Sequence, residues 1–222
     1  LPFIVWDNFA NRTNITSSGS TAGTDVINLV EENTVDLWRS STASNSWIRV
    51  SEIENRYLNT VAIRGHNFST IGATLTVKHG TATVATYKPT TDGVVIITFP
   101  DVVGQSTATL EIASSGVAIV GSILFGRKLV FQNGLDGSGF RPIEFSTVTD
   151  LLSNRSQTGQ LLSNKIIRRG ISAELPINPV DDAFVQGRFK SFVRHYNDGR
   201  PFVFASSPSL APRDAGWFWR PP

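Results

Sequence analysis

Three histidines and eighteen carboxylates are the main supply of groups from which this 222-residue chain could build an acid–base pair or a metal centre. Their spacing serves neither purpose. His66 and His79 are separated by the length of a whole strand, and His195 stands far from both, so no zinc-ligand pattern forms. Cysteine is absent, which removes disulfides, thiolate metal ligands and thiol nucleophiles together and fits synthesis in a reducing cytosol. The pair Asp181-Asp182 has the residue types of a glycosidase. Neighbouring residues at the start of a helix point in different directions, however, and one of the two reads better as an N-cap. Gly134-Leu135-Asp136-Gly137-Ser138-Gly139 lacks the Lys-Ser/Thr of a phosphate loop and opens no helix, so it reads as a hairpin or long loop. Asp136 could reach a calcium ion there, but the rest of an EF-hand pattern is missing. No catalytic residue, cofactor or metal ligand is assigned, and the chain reads as a non-enzyme.

Binding is the chemistry that remains. Trp38, Arg39, His66 and Asn67 are residue types that grip sugars, by stacking and by hydrogen bonds, and the loops that carry them could converge at one end of a sandwich. The same residues serve structure equally well. Asn and His satisfy turn backbone groups, and Trp38 and Trp47 can fill a core. A second group is apolar. In Trp217-Phe218-Trp219 successive side chains of a strand face opposite sides, so at least one ring should turn away from its own core. With Phe3 and Trp6 of the Leu1–Phe9 segment, these rings are candidate subunit-contact residues, an unanchored tail being the alternative. Asn11, Asn14, Asn67 and Asn154 begin Asn-x-Ser/Thr triplets, which a chain rich in Asn, Ser and Thr produces by chance.

The elements that must position these groups are almost all strands. Charged residues make up 17% of the chain, below the usual quarter, while 14 Phe and 5 Trp supply a core. Trp47–Val50, Thr60–Arg64, Ala73–Lys78, Val94–Phe99, Ala108–Ala113 and Val117–Phe125 are short apolar runs, punctuated by Asp92-Gly93, Val103-Gly104 and Ser115-Gly116. Thr13–Thr24 reads as loop. Strands so short and so spaced predict a sandwich or jelly roll, with no helix before residue 126. Lys128–Gln132, Phe140–Ser146, Lys165–Arg169, Ser172–Pro176 and Arg200–Ala205 read as further strands. One helix is expected over about Asp181–Asn197, where Phe184, Val185, Arg188, Phe189, Phe192, Val193 and Tyr196 share a face and Gly199 stops it.

Residues 1–126 carry 7 basic and 10 acidic side chains, and residues 127–222 carry 13 and 8. That shift places a boundary near residue 125: residues 1–125 as a jelly roll, and residues 126–222 as a smaller β-rich domain with one helix. Leu1–Phe9 could belong to the second part as an arm. The basic residues are scattered and accompany no RNA-binding motif, so nucleic acid is not an expected partner. No apolar run approaches the ~18–20 residues of a membrane span, and Leu1–Val5 is too short for a signal peptide.

Trp38-Arg39-Ser40-Ser41, then Ser46-Trp47-Ile48-Arg49-Val50, Val61-Ala62-Ile63-Arg64-Gly65-His66-Asn67 and Ala73-Thr74-Leu75-Thr76-Val77 follow one another in an order that resembles the start of a discoidin-type, galactose-binding-like jelly roll. The form is most similar to that of bacteriophage tail and virion proteins. Phe189 to Ala205, with the closing Ala215-Gly216-Trp217-Phe218-Trp219, is similar to the end of small phage baseplate and distal-tail proteins. The resemblance implies a structural subunit of a phage tail tip, made in the host cytoplasm and carried in the virion. Such subunits form a trimeric or hexameric ring that joins the tail tube to the hub and its receptor-binding machinery. The order departs from that family in placing the galactose-binding-like part first. A carbohydrate-binding adhesin that touches a host surface glycan is the alternative.

Overall fold

The computed structural model describes residues 1–31, 36–135, 147–155, 157–158, 160–171, 174–206 and 215–218, and within 147–171 it describes chiefly the backbone. Asp136–Gly139, the strand expected at Phe140–Ser146, and Trp219 lie outside these residues. The protein is mainly β, and among the described residues every strand pairing is antiparallel. Two compact units are present: Leu1–Val130 with Asp181–Pro222, and Phe131–Val180.

In the first unit, β2 (Ile15–Ser17), β4 (Ser46–Ser51), β9 (Thr107–Ala113), β6 (Thr74–His79) and β7 (Ala82–Tyr87) form one sheet in that order. A second sheet has the order β11 (Ser122–Gly126), β5 (Leu58–Arg64), β8 (Val95–Val102), and β3 (Trp38–Arg39) pairs with β10 (Ile119–Val120). Strand alternation explains the sandwich they make. Ile48 and Val50 are fully buried, while Trp47 and Arg49 between them lie on the solvent side. Ile48, Val50, Leu75, Val77, Leu110 and Ile112 of the first sheet share a core with Val61, Ile63, Ile97, Ile123 and Phe125 of the second. The β-sandwich expected from the sequence is therefore the fold.

The second sheet is covered on its other face too. Ala62, Ile96 and Leu124 join a separate cluster with Phe3, Val5, Val203, Ala205 and Ala215. Those partners belong to a third sheet, ordered β12 (Leu129–Val130), β1 (Phe3–Val5), β15 (Phe202–Ala205), β16 (Ala215–Phe218). A strand buried on both faces must be apolar at consecutive positions, which is why Val61-Ala62-Ile63 does not alternate. Gly126 permits the close approach of the third sheet. A Cβ there would lie 2.7 Å from the Asp7 carbonyl oxygen and 2.9 Å from Val5 Cγ1. The first compact unit holds residues on both sides of position 125, and in it β1 pairs with β12 from mid-chain and with β15 from near the other end.

The helical stretch lies where its period and cap place it. The Asp181 carboxylate accepts from the Phe184 N–H at 2.7 Å, which identifies Asp181 as the cap. α1 (Asp182–Phe184) passes through a wider turn at Val185–Phe189, kinked at Gly187, into α2 (Lys190–Asn197). Gly199 ends it at φ +75, in the left-handed region, with its N–H on the Tyr196 carbonyl at 3.0 Å. Phe192 packs on Trp6 at 5.4 Å and on Phe202 at 5.2 Å between ring centres. Arg188 donates to the carbonyls of Arg127 and Lys128 and lies over the Trp6 ring at 4.9 Å, and its burial pushes its pKa down.

Several elements correct the sequence reading. A 3-10 turn at Val26–Val30, capped by Asp25, stands where no helix was expected, and β2 runs through the supposed loop Thr13–Thr24. Val117–Phe125 is not one strand but breaks at Gly121 into β10 and β11. In the second unit β13 (Thr147–Arg155) pairs with β14 (Leu161–Ile171), so Lys165–Arg169 is part of a longer strand. β13 was missed, and Glu174–Pro176 is not strand. A register shift between Asp150 and Leu151 interrupts the alternation that would have announced β13.

Candidate functional site

The corner after β5 uses most of its polar atoms internally, although the buried Nε2 of His66 meets no hydrogen-bond partner among the described residues. Trp38 has no exposed surface, and its Nε1–H donates to Ser20 Oγ at 3.0 Å. The His66 side chain is fully buried, stacked on Phe68 at 4.5 Å, and its Nδ1 accepts from the Phe68 N–H at 3.3 Å. Burial pushes its pKa down, against the pull of the Asp92 carboxylate 3.9 Å away. Asn67 donates to the Val117 carbonyl and accepts from the Ile119 N–H, both at 2.9 Å, and so ties β10 to the corner. Asp92 accepts from the Thr70 hydroxyl and from the Ser69 and Thr70 N–H groups, and these bonds, the hydroxyl's foremost, hold its carboxyl below the usual range. Arg39 alone of the four is exposed, its backbone in register with Ile119. The structure brings Arg39 and Asn67 to the same strand β10 but gives them no shared indole face, because Trp38 is inside.

The candidate contact residues are also engaged within the chain. Phe3 is 1% exposed and Trp6 is 6% exposed, so neither is offered to a neighbour. Phe218 stacks on Phe202 at 5.8 Å, and the Arg64 guanidinium lies 5.0 Å from the Trp217 ring centre. Trp217 and Phe218 remain half-buried.

A cleft opens instead beside Trp6, inside the first unit. Its mouth, about 350 Å³, is lined by Trp6, Asp7, Ser191, Arg194, Asp198 and Arg200. An inner cavity of about 130 Å³ adjoins it, sharing Trp6, Asn8, His195 and Arg200 as walls. Leu29, Val30, Ile123, Leu124 and Trp217 make most of the inner lining apolar, and Arg64, Glu31 and Ser122 are its polar members. Many distant segments build this place: the turn after β1, the 3-10 turn, the ends of β5 and β11, α2, and β16. Asn8 locks the wall, donating to the Ile123 carbonyl at 3.0 Å and accepting from the Phe125 and Ala10 N–H groups. His195 meets the Pro201 carbonyl at 2.7 Å through Nε2; a carbonyl only accepts, so Nε2 carries the proton.

The charges of the cleft balance. Arg64, Arg194 and Arg200 stand against Asp7, Glu31 and Asp198. Glu31 is held by Arg12 at 2.6 Å, and Asp7 lies 3.9 Å from Arg56. Arg64 donates through Nε to Ser122 Oγ at 3.2 Å, and burial lowers its pKa. The buried Nε1–H of Trp217 has no acceptor among the described residues. Among the described residues no three His, Asp or Glu side chains meet to hold a metal. The arrangement can bind a polar molecule of no net charge. Sequence reasoning singled out Trp6 and Trp217 for a different role, met Arg64 only as the start of the Arg64-Gly65-His66-Asn67 corner, and passed over Arg194 and Arg200. No local motif marks them, because residues from Trp6 to Trp217 meet only through the fold.

No protein-family model matches the sequence, and no curated protein matches it. Solved structures similar to this chain include chitosan-binding module 1 of a chitosanase/glucanase from Paenibacillus sp. IK-5, at 19% identity and a TM-score of 0.44 over 55% of this chain and 99% of that one. A fucose-binding module of Streptococcus pneumoniae is similar at 14% identity, with a TM-score of 0.44 over 55% of this chain and 96% of that one. The lectin domain of lectinolysin, in complex with Lewis B antigen, is similar at 11% identity, with the same TM-score and coverage.

Proposed function

We propose that the protein is a non-enzymatic carbohydrate-binding module that holds a glycan in the cleft beside Trp6. The observation that carries the reading is the balance of the cleft as a whole: three arginines and three carboxylates stand around Trp6. An ionic ligand would be met by an excess of the opposite charge. A neutral polyhydroxylated ring needs donors and acceptors together, and an apolar face for its C–H groups. Titration calorimetry of the intact protein against panels of neutral oligosaccharides tests this. Binding that Arg200→Ala weakens about tenfold, at unchanged melting temperature, is expected. Binding untouched by Arg200→Ala and Arg194→Ala overturns the placement in the cleft.

A second reading, a ring-forming subunit of a phage tail tip meeting tube and hub, is supported by the β13–β14 hairpin. Among the described residues it is a two-stranded sheet that no other strand joins. Such a hairpin is marginal alone and offers edges for strand addition, and repeated heterologous contacts close a trimer or hexamer. Native mass spectrometry and cross-linking of the intact protein test it. Cross-links from Lys165 to a second copy are expected, and a protein monomeric at all concentrations and incorporated into no particle overturns it.

A further inference from the structure

We infer that α2 is a lid on the cleft, hinged at Gly187 and Gly199 and latched by Arg188, an inference that rests on the cleft as the binding place proposed above. Ser191, Arg194 and His195 of α2, with Asp198 at its C-cap, line the mouth. This wall is laid on the fold rather than built into it. No side chain from Asp182 to Asn197 is fully buried, and none of them belongs to either buried apolar cluster. The strand it packs on, β15, is buried at every position. Lifting α2 uncovers Trp6 and Phe202 but leaves the core between the sheets closed.

Both ends of α2 are jointed. At Gly187 the backbone leaves the helical region, with φ -80 and ψ -133, and at Gly199 φ is +75. A Cβ at either glycine would meet no neighbouring atom within 4 Å, so close packing is not what these positions serve. They turn the chain on either side of a short rigid helix, and hinges are placed at such element ends. The latch follows the first hinge directly. The Arg188 guanidinium donates to the carbonyls of Lys128 and Arg127, at 3.0 and 2.7 Å, and lies over the Trp6 ring at 4.9 Å. Its acceptors are neutral carbonyls, which water can replace when the latch opens. Lifted, α2 takes a wall off the mouth and widens the way to the inner cavity. Lowered, it sets Arg194 and Asp198 at the rim.

The chain has no cysteine, so Ser122→Cys places a single thiol in the inner cavity of the intact protein. Its rate of modification by methyl methanethiosulfonate reports access to the cavity, and amide hydrogen exchange reports the helix. Neither readout needs a sugar, so this inference and the carbohydrate reading fail separately. The amides of α2 should exchange as one group, at least about a hundredfold faster than those of β5 and β9. Arg188→Ala should speed both α2 exchange and thiol modification about tenfold, with β5 and β9 unchanged, and Arg188→Lys should fall between. Faster exchange with unchanged thiol modification means that the helix moves without gating the cavity, and overturns the inference. Equal acceleration of α2, β5 and β9 means that α2 opens only with the whole fold, and overturns it too. Should Ser122→Cys lower the melting temperature sharply, Val30→Cys, on the wall of the same cavity, carries the thiol instead.

Discussion

The corner at Gly65-His66-Asn67 and the cleft beside Trp6 contain similar residue types in opposite conditions. At the corner, the Trp38 indole, both Asn67 amide groups, His66 Nδ1 and the Asp92 carboxylate all have partners inside the chain. In the cleft, the side chains of Arg194, Arg200 and Asp198 are exposed, and the Trp217 Nε1–H has no acceptor among the described residues. A side chain already hydrogen-bonded and desolvated is part of the scaffold. It can offer a ligand only what it first takes from the fold. Residue type proposes a site, and the state of its polar atoms decides.

The sharpest way to break this contrast is Trp38→Ala. Removing a fully buried indole should cost about 3–5 kcal/mol, read by denaturant unfolding. A variant that stays stable but loses glycan binding would move the site back to the corner. Asn67→Ala comes next. It abandons the Val117 carbonyl and the Ile119 N–H, a loss of about 1–3 kcal/mol, with ligand affinity unchanged. Arg200→Ala and Asp198→Ala mark the opposite pole. As exposed cleft residues they should alter stability by less than about 0.5 kcal/mol while weakening any bound sugar, and unfolding and binding measured in parallel would show it.

The smallest effect concerns acid. His66 and His79 both have pKa values lowered by burial, so the unfolded chain binds protons more readily than the folded one. Stability is then fully present above the unfolded value near 6.5 and declines as pH falls below it. Asp92, also lowered, adds a further loss at lower pH, below the unfolded carboxylate range. Melting temperatures between pH 7.5 and 5 should fall, and His66→Asn combined with His79→Asn should flatten the profile. Cleft variants should leave the profile unchanged, and a flattening by Arg200→Ala would tie the titration to the wrong region.

How much of this was legible varied with distance along the chain. Trp47-Ile48-Arg49-Val50 announces its strand because each residue's environment is set by simple alternation. The Asp181 cap, the Phe184-to-Tyr196 face and the Gly199 stop are equally local. β13 was hidden by its register shift, and the 3-10 turn at Val26–Val30 is too short for a period to show. The cleft was illegible for a different reason. Leu29, Arg64, Ile123, Arg200 and Trp217 meet through three sheets and a helix, so no window of sequence contains them. Phe3 and Trp6 looked like rings in need of a neighbour, because nothing nearby in the chain shows what covers them. The covering is done by β15 and α2.

The position of β1 has a consequence for biosynthesis. Phe3 and Ile4 of β1 pair on one side with Val130 and Leu129, but the partners on its other side, Ala205, Phe204 and Val203, are synthesised some 200 residues after β1. At about 5–20 residues per second, the nascent chain carries that apolar edge unpaired for roughly 10–40 s. The sandwich between them can condense on the ribosome, whereas the third sheet waits for the C-terminal strands. Chaperones that shield apolar segments should therefore matter more for the open edge of β1 than for the strands of the sandwich. Slowing translation before residue 202 should increase aggregation, and supplying β15 sooner, by circular permutation, should relieve it.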